Sequence, residues 1–491
     1  MTILDRNTAN AVPAPFEAVS DAVSTTLSAT SGPGMPGPGT PLSKDAPKSR
    51  LADMLSPHRA GKDAPDAIVD YRSPFEIDAD RIQFSRSFRA LADKTQVHGP
   101  SGDDYVRSRL THSIEVSRVG RSLGSQIGRI LARRAGPDRD WTAGDIGHVV
   151  AAAGLMHDIG NPPFGHTGED IISDFFRDHP TGRKLLKGLS PRMQVELTHF
   201  EGNAQGFRVV SRLQGWRPEG GLQLTAATQA AFAKYPFAAD TAIGTRRTKC
   251  KYGFYESEAA EFSRIAELTG MVPAGRELAW RRHPLAYLVE VADDVCYRVV
   301  DVEDGAMMNI ITMAEAEDML LPLACPDLTL YRSIEPMWRK LEFLRSRAIQ
   351  TLIDAVASGY EDVADQIEDG SHPGDLLLGT VHGEHLQAVS KFSRERIYRN
   401  AARLRLDAEA ADVLNRLLVR YCEAFLARER KGDPVLNDPA FQIPAFARSI
   451  SLVHVPMDRA GWLRAMLDFI SGLTDRGALA LDRQFNHQTG T

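Results

Sequence analysis

The sequence predicts an all-α fold, with few or no strands. Apolar residues recur at intervals of three or four positions in several long segments, whereas alternating apolar runs, which are typical of strands, are few and short. The helical pattern covers about 109–134, 145–158, 168–178, 284–302, 335–357 and 408–430. We expect one helix in each of these segments, separated by stretches rich in glycine, proline and polar residues.

The first 48 residues differ in composition from the rest of the chain. They are rich in alanine, proline, glycine, serine and threonine, and such a segment buries too little apolar area to offset the entropy lost on ordering. We therefore expect a flexible tail over 1–48 and a helical body over 49–485. A second unusual stretch, about 359–386, is acidic and rich in glycine, and it predicts an exposed insertion.

Composition and cysteine usage exclude several classes of protein. The net charge of −6 argues against a chain that is basic overall, although it allows local basic patches. No charged and then apolar leader is present, and no run approaches ~18 apolar residues, so we expect a cytoplasmic protein without a membrane span. The four cysteines have no CxxC spacing, and the chain has no Walker-type glycine loop, which argues against a P-loop for triphosphates.

The segment HDIGNPPFGHTGE, residues 157–169, is the strongest functional signal in the chain. An apolar run, HVVAAAGLM, leads into it, and the following Gly and Pro residues stop the predicted helix. His157 and Asp158 therefore lie at the last turn of a buried helix, where the chain opens into a loop. Imidazole and carboxylate together suit a divalent cation such as Mn²⁺ or Mg²⁺.

Two other segments supply further metal-ligating side chains. The apolar stripe that begins at Val116 reaches His112 when it is extended back by one helical turn. In the segment 284–302, Asp293 falls on the apolar face of the predicted helix, where an unpaired carboxylate would be costly. Tyr297 and Asp301 follow Asp293 at intervals of four, so the same face presents two carboxylates and a phenol.

The order of His112, the His157–Asp158 pair and Asp293 resembles the signature of the HD phosphohydrolase superfamily. Within it, the extended loop together with HFEGNAQ, KYGFYESE, KFSRERIYRN and GLTDRGA resembles the deoxyguanosinetriphosphate triphosphohydrolase (dGTPase)-like family, over about 81–480. The resemblance implies an HD-domain helical fold with additional helices, an HD core at about 81–305 and a C-terminal helical part at about 306–485. It implies hydrolysis of dGTP, or another deoxynucleoside triphosphate (dNTP), to deoxynucleoside and tripolyphosphate.

The resemblance also implies roles for individual residues. One divalent metal ion per subunit, Mn²⁺, Mg²⁺ or similar, would be bound by His112, His157, Asp158 and Asp293. His166 and Glu169 resemble the catalytic pair of the family. The residues that resemble substrate contacts are Gln96, Arg109, Asn203, Lys251, Tyr252, Tyr297 and Asp301. Other members form hexamers and bind single-stranded DNA, so a homo-oligomer and a nucleic-acid partner are expectations as well.

Two departures and several alternatives accompany this interpretation. Asn161 stands where other HD triphosphohydrolases can carry a further histidine, and Gly477 stands where an aromatic residue is expected. Taken alone, Tyr297 is typical of a core aromatic and Arg109 of an exposed cation. The HD ligands by themselves also fit a nucleotidase or phosphodiesterase, and the basic clusters fit a nucleotide-sensing protein that binds single-stranded nucleic acid.

Overall fold

The computed structural model describes residues 50–62, 72–96, 107–215, 220–240, 250–324, 327–399, 401–431 and 458–489. Within these ranges the regular secondary structure is helical, and extended backbone forms isolated bridges without a sheet. The prediction of an all-α fold is therefore confirmed. The chain divides into two units, Met1–Lys48 and Ser49–Thr491. The predicted flexible tail over 1–48 lies outside the described residues.

The first half of the described chain contains the helices that carry most of the predicted site residues. They are α1 (Arg50–Asp53), α2 (Pro74–Gln83), α3 (Arg86–Ala90), α4 (Arg109–Ala135), α5 (Ala143–Met156), α6 (His166–Asp178), α7 (Pro180–Leu186), α8 (Pro191–Thr198), α9 (Gly202–Arg208), α10 (Ala226–Phe232), α11 (Ala259–Leu268) and α12 (Pro284–Met307). The second half contributes α13 (Met313–Ala324), α14 (Leu328–Ser333), α15 (Met337–Glu368), α16 (Gly383–Phe392), α17 (Ala401–Lys431), α18 (Arg459–Gly472) and α19 (Asp475–Thr489).

Helices α4 and α5 pack closely; α4 carries His112, and His157 and Asp158 directly follow the end of α5. Ser108 caps α4 by accepting a hydrogen bond from the amide of Thr111, and a capping box of Thr142 and Asp145 begins α5. The two backbones approach each other at glycines. A Cβ placed on Gly124 would lie 3.0 Å from the Cα of Gly147, so a side chain there would push the helices apart.

The long helix α15 corrects the first part of the predicted exposed insertion over 359–386, whereas 369–382 is an irregular segment in which only Leu376 and Leu377 are buried. The helix continues to Glu368, and Tyr360, Ala364 and Ile367 on its inner face are buried. The acidic residues lie on its other face. Three of them, Glu361, Asp365 and Glu368, form ion pairs with Arg133 and Arg134 of α4. A charged surface of a packed helix thus produces the composition that suggested an insertion.

Buried apolar residues form two large clusters that together organise the site. The first joins α1–α5 with α10–α13, α15 and α16. The second joins α6–α8, which follow the HD loop, with the C-terminal helices α17–α19. The predicted division at about residue 305 does not separate these cores, because α6–α8 share theirs with the end of the chain. Among the described residues, no helix is both long and apolar enough to cross a membrane.

Candidate metal and catalytic site

The site is built first on the end of α5. Ten of the helix's fourteen residues are buried, and the helix ends at Met156, directly before the His–Asp pair. His157 Nδ1 lies 2.8 Å from the carbonyl oxygen of Gly154, to which it donates its hydrogen. The ring is therefore oriented so that Nε2 faces the carboxylates, 3.4 Å from Asp158 Oδ2 and 3.5 Å from Asp293 Oδ1.

The structure brings all four predicted metal ligands together. His112, from the first turn of α4, places Nε2 at 3.1 Å from Oδ1 of Asp293, which lies in the middle of α12. The candidate ligand atoms of His112, His157 and Asp158 all lie within 4.8 Å of one another. The two histidines are largely buried, whereas the Asp293 side chain is 34% exposed, so the cluster opens to solvent on the α12 side.

Electrostatics make this cluster a strong site for positive charge. Burial lowers the pKa of His157, but the carboxylates of Asp158 and Asp293 raise it more, to about 9. Burial raises the pKa of Asp293, but His157 and His112 lower it to about 2. The pKa of Asp158 is held well below its usual range, mainly by Arg109 against the effect of burial. Two ionised carboxylates beside two imidazoles form a donor set that fits a divalent cation.

Arg109 is a buried part of the site and not an exposed surface cation. Its Nη1 donates to Asp158 Oδ2 at 2.7 Å, and its buried Nε has no hydrogen-bond partner among the described residues. Asp158 also accepts from Nδ2 of Asn161 at 2.5 Å. The guanidinium passes directly over Gly165, where any Cβ would collide with it. Gly165, with a φ of 61°, is therefore required by both its conformation and its neighbour.

His166 and Glu169 form the hydrogen-bonded pair that the sequence predicts, on the first turn of α6. His166 Nδ1 lies 2.9 Å from Glu169 Oε2, and Glu169 Oε1 accepts from the amide of Gly202 at 2.9 Å. Burial raises the pKa of Glu169, but His166 and Lys251 lower it to about 2, so the carboxylate is ionised. The His166 side chain is 58% exposed, and its Nε2 is free of this pairing. The pair is suited to proton transfer at Nε2.

Lys251 lies near the His166–Glu169 pair. Its Nζ is 2.7 Å from Oε2 of Glu201, whose other oxygen accepts from Asn203 Nδ2 at 2.6 Å. Burial lowers the pKa of Lys251, but Glu201 and then Glu169 raise it further, so the ammonium stays charged. Glu201 and Asn203 flank Gly202, whose amide binds Glu169, so Lys251 and Asn203 lie at the same edge of the site as His166.

Tyr297 and Asp301 lie on the other side of the metal cluster, on α12. Asp301 is 3% exposed, and its Oδ2 accepts from the hydroxyl of Tyr398 at 2.6 Å. Tyr398 also stacks on Tyr297, with ring centroids 5.4 Å apart. Burial raises the pKa of Asp301 to about 7, against the effects of Tyr398 and His112. The influence of His112 shows that this aromatic pocket adjoins the metal cluster.

Comparison with known proteins agrees with this geometry. The family model described as "HD domain" matches residues 109–199, which include His112, His157 and Asp158. The chain is 38% identical to a Pseudomonas aeruginosa protein named deoxyguanosinetriphosphate triphosphohydrolase-like, over 88% of this chain and 97% of the relative. A Listeria monocytogenes protein of the same name is 31% identical, over 85% of this chain and 95% of the relative. The chain belongs to the dGTPase-like family.

The chain is also similar to a protein that is named deoxyguanosinetriphosphate triphosphohydrolase, without the ending "-like protein". The deoxyguanosinetriphosphate triphosphohydrolase of Salmonella typhimurium is 31% identical to this chain, over 67% of this chain and 70% of the relative. The dGTPase-like family belongs to the HD phosphohydrolases, and HD domains depend on metal ions. The His112–His157–Asp158 cluster is where this member has the side chains for one.

The structure places Tyr252, one of the predicted substrate contacts, in the core. Tyr252 is fully buried, and its hydroxyl lies 3.2 Å from the carbonyl oxygen of Glu196 and 3.0 Å from that of His199. Its side chain packs in a small core with Tyr255 and Cys250. Adjacent side chains on a non-helical segment face different ways, and here Lys251 faces the catalytic pair while Tyr252 faces the core.

The structure also reveals members of the site that sequence reasoning missed. Tyr398 is one, although it lies in the segment KFSRERIYRN that carried part of the resemblance. Lys234 is another: its Nζ lies 3.0 Å from Glu290 Oε1, and Asp293 and Asp294 both help to raise its pKa. Glu201, in FEGNAQ, is the third. The signal for Tyr398 and Glu201 was their position inside a family motif, whereas neither a motif nor a periodicity marks Lys234.

Gln96, Asn161 and Gly477 are the remaining positions that the sequence analysis singled out. Gln96 is half-buried, and its buried Oε1 has no hydrogen-bond partner among the described residues, so it has an acceptor free for a ligand. Asn161, which stands where other HD triphosphohydrolases can carry a histidine, donates a hydrogen bond to Asp158 and so orients a predicted metal ligand. A Cβ on Gly477 would meet only Leu473 and Thr474, its own neighbours in the chain, within 4 Å.

Proposed function

We propose that the protein is a metal-dependent dNTP triphosphohydrolase that prefers dGTP and releases a deoxynucleoside and tripolyphosphate. The observation that carries the proposal is the convergence of His112, His157, Asp158 and Asp293 on one cluster. The hydrogen-bonded His166–Glu169 pair follows Asp158 along the HD loop, and Asp301, which accepts from Tyr398, follows Asp293 by two helical turns on α12. Membership of the dGTPase-like family supports the same class of reaction.

His112, His157, Asp158 and Asp293 would hold one divalent cation, for which Mn²⁺ or Mg²⁺ is the proposed identity. Their donor atoms already converge, and two imidazoles with two carboxylates suit borderline to hard ions. When bound, the cation supplies polarisation of a phosphoryl oxygen and neutralisation of charge in the transition state. Asn161 and Arg109 keep the Asp158 carboxylate oriented by occupying both of its oxygens.

His166 is the proposed proton-transfer residue. Hydrolysis at the α-phosphorus forms a bond to a water oxygen and breaks the bond to the 5′ oxygen, so the water loses a proton and the 5′ oxygen gains one. His166 Nε2 faces outward while Glu169 holds Nδ1, so the imidazole can carry out one of these two transfers. The pKa of the buried Glu169 is lowered to about 2, so its carboxylate is ionised and can hold the hydrogen on Nδ1.

The proposed substrate has a triphosphate, which the basic side chains would bind, and a deoxyribose, which the aromatic pocket would bind. Arg109, Lys251 and Lys234 place positive charge around the cluster, as a triphosphate requires. On the other side, Asp301 would accept a hydrogen bond from the 3′ hydroxyl, and Tyr297 would close the space that a 2′ hydroxyl needs. Gln96 and Asn203 are the proposed contacts for base or sugar.

The experiment that tests the proposal measures turnover of the four dNTPs and GTP with Mn²⁺ or Mg²⁺, and resolves every phosphate product. We expect deoxynucleoside and intact tripolyphosphate, from deoxy substrates and fastest from dGTP. Orthophosphate or pyrophosphate would instead indicate a nucleotidase or phosphodiesterase. Nucleotide binding without turnover, together with salt-sensitive binding of single-stranded DNA, would favour the sensor alternative.

The proposal includes a cytoplasmic location and a homo-oligomer, with a hexamer as the expected state. Both rest on the family and not on a described contact. Sedimentation of the full-length protein with and without dGTP measures the assembly directly, and a monomer under both conditions would contradict it.

A further inference from the structure

A carboxylate from the C-terminal end of the chain reaches into the loop between the metal cluster and His166. Asp475, the first residue of α19, is 2% exposed. Its Oδ1 accepts from the amide of Phe164 at 2.8 Å, and its Oδ2 accepts from the amide and hydroxyl of Thr95 at 2.9 and 2.5 Å. One buried side chain thus connects the turn before His166 with the segment that precedes Gln96.

The turn that Asp475 holds is conformationally strained. Phe164 has a φ of 64°, which is unfavourable for a residue with a bulky side chain, and Gly165 follows it with a φ of 61°. Such a conformation persists when its surroundings hold it. The Phe164 side chain is buried in the second core and its amide is bound by Asp475, so both are fixed from the C-terminal helices. His166 begins α6 two residues later.

Lys94 holds the other end of the same turn. Its buried Nζ donates to the carbonyl oxygen of Asn161 at 2.5 Å and to that of Ser471, on α18, at 2.8 Å. Asp475 is the largest favourable electrostatic influence on this ammonium. The turn from Asn161 to Gly165 is therefore bound at both ends to the junction of α18 and α19.

We propose that Asp475 is a positioning residue, which holds the strained Asn161–Gly165 turn and thereby aims the His166 imidazole at the scissile bond. This inference rests on the proposed function. Asp475 does not contact the catalytic pair in any described hydrogen bond, so its effect passes through the backbone. Because α18 and α19 are packed in the second core, the carboxylate acts as a fixed support for the turn.

Asp475→Asn is the variant that tests this role with the least change in size. The amide has one oxygen and one NH₂ group in place of two acceptor oxygens, so it cannot accept from Phe164 and Thr95 together. We expect kcat to fall by ~10- to 100-fold, the scale on which a small misplacement of a catalytic group acts. KM for dGTP and the metal dissociation constant should change by less than about threefold, because Asp475 contacts none of the four metal ligands in a described hydrogen bond.

Asp482→Asn is the matched control. Asp482 lies on the same helix, is 6% exposed and forms a two-point ion pair with Arg416 at 2.9 and 2.7 Å, away from the turn. A purely structural role for Asp475 predicts that both variants lose melting temperature and activity in parallel. The positioning role predicts that kcat falls in Asp475→Asn alone, when both proteins are assayed well below their melting temperatures.

A double-mutant cycle with His166→Ala then decides whether Asp475 acts through His166. If it does, adding Asp475→Asn to His166→Ala should reduce the residual kcat by less than about threefold, since the group it positions is already absent. If Asp475→Asn reduces kcat in the His166→Ala protein by the same factor as in the wild type, the proposal is overturned.

Hydrogen exchange provides a readout that does not need activity. In Asp475→Asn, the amide of Phe164 or that of Thr95, whichever loses its acceptor, should exchange at least ~10-fold faster than in the wild type, and both should exchange at the wild-type rate in Asp482→Asn. Unchanged exchange at both amides in Asp475→Asn would overturn the contacts themselves. An inactive wild type with this exchange pattern would overturn the proposed function and leave the support of the turn established, so the two failures are distinguishable.

Discussion

The hydroxyl of Tyr398 donates a 2.6 Å hydrogen bond to Asp301, a buried carboxyl group 97 residues earlier in the chain. The same ring stacks on Tyr297, so one residue completes the pocket that is proposed to read the deoxyribose. The carboxyl group has a pKa raised by burial to about 7, which places its ionisation within the physiological range. Each of these contacts leads to a measurable expectation.

Tyr398→Phe should impair recognition of the sugar without removing the metal. The variant keeps the stacked ring but leaves Asp301 without its hydroxyl donor, and a lost bond to a charged partner is worth roughly 1.5–3 kcal/mol. We expect kcat/KM for dGTP to fall by about tenfold or more at pH 8, with metal affinity unchanged. The control is Tyr331→Phe, which removes an equal 2.6 Å bond to Glu317 far along the chain from the site. Equal kinetics for the two variants would contradict the assignment of Tyr398.

Ionisation of Asp301 should lower the free energy of unfolding as the pH rises from about 4 to about 7. The pKa of its carboxyl group is about 7 in the folded protein and 3.8 ordinarily, so between these values the folded state binds the additional proton. Stability linked to this group is therefore present at pH 4 and is lost as the pH approaches 7. From pH 5 to pH 8 the loss is roughly 2–3 kcal/mol, at about 1.4 kcal/mol per pKa unit.

Urea unfolding of the chelator-treated protein at pH 5 and pH 8 measures this effect, with Asp301→Asn as the comparison. The variant cannot ionise, so its free energy of unfolding should fall less between the two pH values than that of the wild type. The same pH dependence in both proteins would show that Asp301 does not carry this linkage.

Asp158→Ala should abolish metal binding and turnover together. It removes a carboxylate ligand and also the partner of the buried Arg109, whose uncompensated charge then repels a cation. Metal content after chelation and reloading measures the first effect, and a melting curve confirms that the variant folds. Full metal occupancy with retained activity would remove Asp158 from the ligand set.

The sequence predicted the parts of this site that depend on helical periodicity. His112 and Asp293 follow from the apolar stripes of α4 and α12, and the end of α5 at His157 follows from the residues that stop the helix. Contacts between distant segments carried no such signal. The Tyr398–Asp301 bond and the Asp475 support of the HD loop join residues 97 and 311 positions apart, and no local pattern marks them.

The expectations that differ from the structure have a related cause. The family resemblance associates Tyr252 with the substrate, yet the direction of a side chain on an irregular segment depends on packing that the sequence does not display. The acidic, glycine-rich composition after residue 359 predicts an exposed insertion, since the sequence does not show which residues pair with its charges. Those partners, Arg133 and Arg134, lie on α4, more than two hundred residues earlier.

His166→Ala should separate catalysis from metal binding. The side chain contacts Glu169 and solvent and none of the four metal ligands in any described hydrogen bond, so the metal should bind as in the wild type. Loss of a general acid or base should reduce kcat by ~10²–10⁴. Glu169→Gln should reduce it less, because the imidazole remains and loses only the carboxylate that fixes Nδ1 and stabilises its charge. A near-normal kcat for His166→Ala, measured at saturating metal and dGTP, would exclude His166 from the proton transfer and direct attention to Lys251, the other titratable side chain that the structure places against Glu169.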